Sequence, residues 1–119
     1  FTIQKAIPLL KNGSSVVLLG SIAAKMARPS ATLYGATNAA VSSMARTFSA
    51  AYASRGIRFN AVIPGPVETP LWARPGVLPE GEADSRKATM SSFLPLKRFG
   101  TPDEIAARIA FALSPESSY

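Results

Sequence analysis

Two apolar segments of this chain are each followed by residues that could do chemistry. Ser21 comes directly after SVVLLG (residues 15–20), and Tyr34 stands 13 residues beyond it. Pro64 and Gly65, then Val67 and Thr69, come after IRFNAVI (residues 57–63). A tyrosine hydroxyl can give or take a proton, and a serine hydroxyl can hold a substrate oxygen beside it. Such a pair needs no histidine, which matters because the sequence contains neither His nor Cys. A Ser-His-Asp triad, a disulfide framework and a Cys/His metal site are excluded. A free tyrosine titrates near about pH 10, so acid/base work at neutral pH calls for a positive neighbour. Each residue also has a plainer role. Ser21 can cap a turn, Tyr34 can be a half-buried helix aromatic, and Pro-Gly is most often only a turn.

The elements that must position these residues follow from periodicity. Ile3, Ile7 and Leu10 share one face of a helix over 1–11, which Pro8 should kink or shorten and Asn12-Gly13 should stop. SVVLLG is continuously apolar, as suits a strand buried on both faces of a parallel sheet. Residues 21–33 read as a loop. From 34 to 54 the chain is rich in Ala, Ser and Met, which predicts a long helix ended by Arg55-Gly56. IRFNAVI is a second strand, stopped by Pro64-Gly65-Pro66. Residues 67–95 form an excursion with a helix near 82–93. Thr101-Pro102-Asp103-Glu104 opens a last helix, with a capping hydroxyl, proline at its first position and acids in its first turn. The alternation predicts a right-handed βαβ unit in a parallel α/β sheet. Ligands of such sheets bind beyond the carboxyl ends of the strands, where Ser21 and Pro64-Gly65 fall.

Composition narrows the function further. The 119 residues are 47% hydrophobic and 17% charged, which excludes a disordered tail. No stretch reads as a membrane span and none as a signal peptide, so a cytoplasmic protein without membrane contact is expected. Thirteen basic against seven acidic residues leave a net charge of +6. The cations are scattered, without aromatic interleaving, so a solvated surface is expected rather than a nucleic-acid-binding module.

Three segments together resemble the short-chain dehydrogenase/reductase family: GSSVVLLGSIAA, YGATNAAVSSMARTFSAAYASRGIRFNAVIPGPVETP and PLKRFGTPDEIAARIAFALSPESSY. They stand in the family's order and spacing and cover nearly the whole chain. The resemblance implies a partial Rossmann-like fold: a doubly wound parallel sheet in three α/β/α layers, without its N-terminal half and last strand. It implies an NAD- or NADP-dependent oxidoreductase interconverting an alcohol and a carbonyl. Tyr34 would be the acid/base and Ser21 would orient the substrate. Tyr34, Asn38, Pro64, Gly65, Val67 and Thr69 would hold the cofactor, and residues 70–95 would form a substrate lid. Through the helices at 1–11 and 34–54, a homodimer or homotetramer is implied.

Three departures qualify the resemblance. The family's Y-x-x-x-K reads Tyr34-Gly-Ala-Thr-Asn38 here. Asn can supply hydrogen bonds but no charge, which predicts weak activity or a non-catalytic, nucleotide-binding or oligomerising relative. Lys25, in the loop after Ser21, is the alternative cation. The family's Gly-rich dinucleotide turn is absent, and the chain stops where the family continues into a last strand. An internal piece of a longer polypeptide is expected. Taken alone, it would have SVVLLG as a bare apolar edge, inviting poor folding or self-association.

Overall fold

The computed structural model describes residues 1–74 and 81–119. Among these residues, four α-helices and two strands follow one another as α1 (Thr2–Ala6), β1 (Ser15–Leu19), α2 (Thr32–Tyr52), β2 (Arg58–Val62), α3 (Ala83–Phe93) and α4 (Pro102–Leu113). The expected first helix is shorter than its periodicity suggests. Pro8 lacks an N–H, and the chain tightens into a 3₁₀ turn over Ile7–Leu9. α2 begins two residues earlier than expected, and Tyr34 therefore lies within its first turn. Its end is as read, through a 3₁₀ turn to Gly56 in the left-handed conformation at φ 64°. The loop at 21–33 contains two 3₁₀ turns, Ile22–Lys25 and Pro29–Ala31. The expected lid lies partly on residues 75–80, outside the described residues.

The chain forms two compact units: residues 1–63 with 108–119, and residues 64–107. In the first, β1 and β2 pair in parallel, with Ser15 opposite Arg58 and Leu19 opposite Val62. Side chains alternate along a strand, so Val16, Leu18, Phe59 and Ala61 share one face. That face carries the core. Leu18 and Phe59 pack with Ile7, Ala45 and Ile57, and Ile3, Val41, Phe48 and Tyr52 close around them. Phe48, Tyr52 and Phe59 form an aromatic triplet with centroids 5.5–6.3 Å apart. Ile57 is only 2% exposed. Burying a side chain of this size contributes about 1.5–3 kcal/mol.

The opposite face carries Ser15 and Arg58. Ser15 Oγ donates to the Ala112 carbonyl at 2.9 Å, and the Arg58 guanidinium donates to the carbonyls of Ala112 (3.1 Å) and Ser114 (2.9 Å). These are carbonyls that the end of α4 cannot satisfy within the helix. Helices thus flank both faces of the sheet, which is the layered α/β arrangement expected. Arg55 ties the 3₁₀ turn and loop after α1 to the end of α2 by donating to Asn12 Oδ1 at 3.1 Å and to the Ile7 and Leu10 carbonyls. Among the described residues each strand keeps one unpaired edge, and Leu19 is 57% exposed. No helix among the described residues is long and apolar enough to cross a membrane.

The second unit is built around the segment after β2. Val67 bridges to Gly100, the Glu68 N–H donates to the Gly100 carbonyl at 2.8 Å, and the Gly100 N–H returns to Pro66 at 3.0 Å. Trp72 packs at a tilt against the buried Phe99 with centroids 5.1 Å apart and donates its indole N–H to the Val67 carbonyl at 2.7 Å. Thr101 and Glu104 form the reciprocal capping box: Glu104 N–H to Thr101 Oγ1, 3.2 Å, and Thr101 N–H to Glu104 Oε2, 2.7 Å. Arg98 grips the same carboxylate with two nitrogens at 2.8 and 2.6 Å. These bonds, Arg98 first, hold the Glu104 carboxyl down at about 2.

Candidate active site

The strand-end residues of the first unit are placed by two close backbone approaches. Beyond β1 the Gly20 N–H donates to the Val62 carbonyl at 2.9 Å. A Cβ on Gly20 would lie 2.8 Å from Ile63 Cδ1, 3.6 Å from Val41 Cγ1 and 3.8 Å from the Asn38 carbonyl. Glycine therefore lets the exit from β1 run against α2. Ser21 is extended, and its Oγ accepts the Ala23 N–H at 3.2 Å, starting the 3₁₀ turn. The plainer role of Ser21, a turn cap, is thus real, yet it uses only an acceptor and leaves the O–H to donate. The turn brings the Ala23 carbonyl 3.2 Å from where a Cβ on Gly35 would stand. Residue 21 is thereby bracketed, with Gly20 beside the backbone of Asn38 and Ala23 beside Gly35. These two approaches lay residues 20–23 against residues 35–38 of α2.

Tyr34 is 55% exposed, so it is not the half-buried core aromatic of the plainer reading. Its hydroxyl makes no hydrogen bond among the described residues. Its backbone carbonyl accepts from Thr37 Oγ1 at 3.0 Å and from Asn38 Nδ2 at 2.8 Å. Asn38 is thus clipped to the backbone one turn back, and its side-chain oxygen has no partner among the described residues. Lys25 lines a groove of about 710 Å³ with Ser42, Arg46 and Asn60, and neither Tyr34 nor Asn38 is part of that lining.

In the second unit, Pro64, Gly65, Val67 and Thr69 lie on the short connection between β2 and the Pro70–Ala73 3₁₀ turn. Among the described residues, its two chain neighbours aside, no heavy atom lies within 4 Å of the position a Cβ on Gly65 would take. Val67 is fixed by Gly100 and Trp72. Thr69 is extended, and its hydroxyl is unpaired among the described residues. Between them, Glu68 accepts from Lys87 Nζ at 2.7 Å. That hydrogen bond, ahead of its attraction to the Glu68 charge, raises the pKa of Lys87 despite an opposing effect of burial. Sequence reasoning missed Lys87. Its partner lies 19 residues earlier, at no helical or strand spacing that could have signalled it.

A family model described as Enoyl-(Acyl carrier protein) reductase matches residues 1–119. The 3-oxoacyl-[acyl-carrier-protein] reductase FabG of Thermotoga maritima is 40% identical over 119 residues, covering 98% of this chain and 45% of the relative. Among solved structures, a short-chain dehydrogenase/reductase described as a glucose/ribitol dehydrogenase, from Brucella melitensis, superposes with a TM-score of 0.84 at 39% identity. The match covers 98% of this chain and 44% of the other. A blue fluorescent protein from a metagenomic library, solved with NADPH, gives a TM-score of 0.81 at 29% identity, over 98% and 44%. The chain spans less than half the length of these relatives.

Proposed function

Because the chain belongs to the short-chain dehydrogenase/reductase family, we propose that it serves the NAD- or NADP-dependent interconversion of an alcohol and a carbonyl, with Tyr34 moving the proton and Ser21 holding the substrate oxygen. The observation that supports this reading is the close approach of Gly20 and Ala23, on either side of Ser21, to Asn38 and Gly35 of α2, together with a Tyr34 that is 55% exposed and whose hydroxyl has no hydrogen-bond partner among the described residues. In the direction of reduction, the Ser21 O–H donates to the carbonyl oxygen and orients it. Tyr34 then delivers a proton to that oxygen as negative charge develops there. In the direction of oxidation, Tyr34 accepts the proton instead.

The residues present fit a nicotinamide dinucleotide in donor chemistry. Among the described residues, Asn38 in the first unit has an amide oxygen without a partner, and in the second unit, taken by itself, the Thr69 hydroxyl is unpaired and no heavy atom beyond the chain neighbours lies within 4 Å of a Cβ position on Gly65. When bound, the dinucleotide supplies or receives the hydride. Asn38 puts no charge four residues after Tyr34. Asn38 accordingly supports slow turnover, and it favours a second reading, a non-catalytic relative that binds the nucleotide. Both are tested on the intact polypeptide by NADPH fluorescence titration and by turnover with a panel of small ketones. Tyr34→Phe is expected to leave binding intact and lower turnover by about 10²- to 10⁴-fold, the usual contribution of a positioned acid/base. Unchanged turnover in that variant rejects Tyr34 as the proton donor. Binding without turnover in the parent selects the non-catalytic reading.

A further inference from the structure

The glycine before Ser21 does not serve backbone freedom. Among the described residues the glycines at positive φ are Gly13, Gly56 and Gly81, and Gly20 is not one of them. What position 20 lacks is room. A Cβ there would stand 2.8 Å from Ile63 Cδ1, whereas ordinary contact begins at 3.4 Å. It would also meet Val41 Cγ1 and the Asn38 carbonyl, both at ordinary contact distances. The tip of the Ile63 side chain thus occupies the space that a side chain at 20 would need. The Gly20 N–H is tied as well, to the carbonyl of Val62, the neighbour of Ile63, at 2.9 Å. Residue 20 is therefore held twice by the end of β2, through its N–H and through its missing side chain. Ser21 follows directly, with an extended backbone and an Oγ engaged by the Ala23 N–H.

We propose that Gly20 and Ile63 are positioning residues: the Ile63 methyl, seated against Gly20, sets where the exit from β1 carries the Ser21 hydroxyl. The proposal rests on the reading of Ser21 as the residue that holds the substrate oxygen. A methyl added at 20 needs a shift of about 0.6 Å to reach ordinary contact with Ile63. Packed interiors pass such a strain on to their neighbours, and the nearest mobile neighbour is the strand exit that bears Ser21. Misplacing a reacting group by about 1 Å costs about 10²-fold in rate, so a shift of this size should cost about tenfold. Deleting Cδ1 with Ile63→Val makes room for the methyl at 20. The pair Gly20→Ala/Ile63→Val moves a methyl from one side of the contact to the other and nearly conserves volume.

The test is kcat for small ketones at saturating NADPH in the intact polypeptide, with NADPH fluorescence titration and thermal melts alongside. Gly20→Ala should lower kcat about tenfold and leave NADPH affinity within twofold of the parent. Ile63→Val should lower kcat a few-fold through loss of the contact, and the double variant should return close to the parent in both kcat and Tm. In a Ser21→Ala background, Gly20→Ala should cost nothing further, because the residue it misplaces is gone. A Gly20→Ala protein as fast as the parent, or a penalty that persists without the Ser21 hydroxyl, overturns the positioning role. Should Gly20→Ala fail to fold, Ile63→Val and the double variant decide: a double variant slower than Ile63→Val overturns the proposal. A parent that turns over no ketone rejects the reading of Ser21 itself. Additive melting shifts at 20 and 63 overturn the interlock whether or not the parent is active.

Discussion

Asn38→Lys places a cation one helical turn from Tyr34 and measures what its absence costs. Residues four apart on a helix have their Cβ atoms about 6 Å apart. At that distance a unit charge stabilises another by about 2.8 kcal/mol for an effective dielectric of about 20. Tyr34 is 55% exposed, so solvent screens part of this. Doubling the dielectric leaves about 1.4 kcal/mol. Each such increment is about tenfold in rate, so the lysine should accelerate proton transfer through Tyr34 by about ten- to a hundredfold. The substitution gives up the clip from Asn38 Nδ2 to the Tyr34 carbonyl. It also replaces a poor helix former by a good one, so α2 should not be weakened. The assay is NADPH oxidation with a panel of small ketones, for the parent, Asn38→Lys, Asn38→Ala and Tyr34→Phe/Asn38→Lys. The Ala variant should stay near the parent, and the gain should vanish in the double variant. A parent already as fast as Asn38→Lys, or a gain that survives loss of the Tyr34 hydroxyl, refutes the reasoning.

Arg58→Met removes two charge-assisted bonds to the end of α4 and should cost about 1.5–3 kcal/mol in urea unfolding. Ser15→Ala should be non-additive with it, because both side chains bond the Ala112 carbonyl; an additive pair would contradict this shared cap. The Glu104 carboxyl is held at about 2, below its unfolded value of about 4.3. Its stabilising contribution is therefore complete above pH ~4.3 and lost as pH falls toward ~2. Melting curves across that window should show a drop in the parent that Glu104→Gln lacks, and parallel curves would count against the capping box as its source.

Much of the frame was legible because it rests on local chemistry. Thr101-Pro102 with Glu104 reads as a helix start from residue types alone, and the structure forms that capping box. Gly56 ends α2 because few residues other than glycine accept a positive φ. The continuous apolarity of SVVLLG, and a second strand at IRFNAVI beyond an intervening helix, announced a parallel βαβ unit, and the two strands pair in parallel. Boundaries were less legible. Pro8 converts the end of α1 into a 3₁₀ turn, and α2 starts at Thr32 without a side-chain cap to signal it.

Sequence by itself determined the residue types and their order. Ser, Tyr and a Pro-Gly turn follow apolar strands, no histidine is available, and Asn stands where a cation would help Tyr34. Only tertiary structure decided which backbones touch. Gly20 meets the carbonyl of Asn38, Ala23 meets Gly35, Lys25 lines a groove that does not include Tyr34, and Lys87 reaches Glu68. The physical reason is range. Caps, turns and periodicity act over a few residues and so can be read along the chain. Close approach and ion pairing depend on distances that the chain sets only after it has packed.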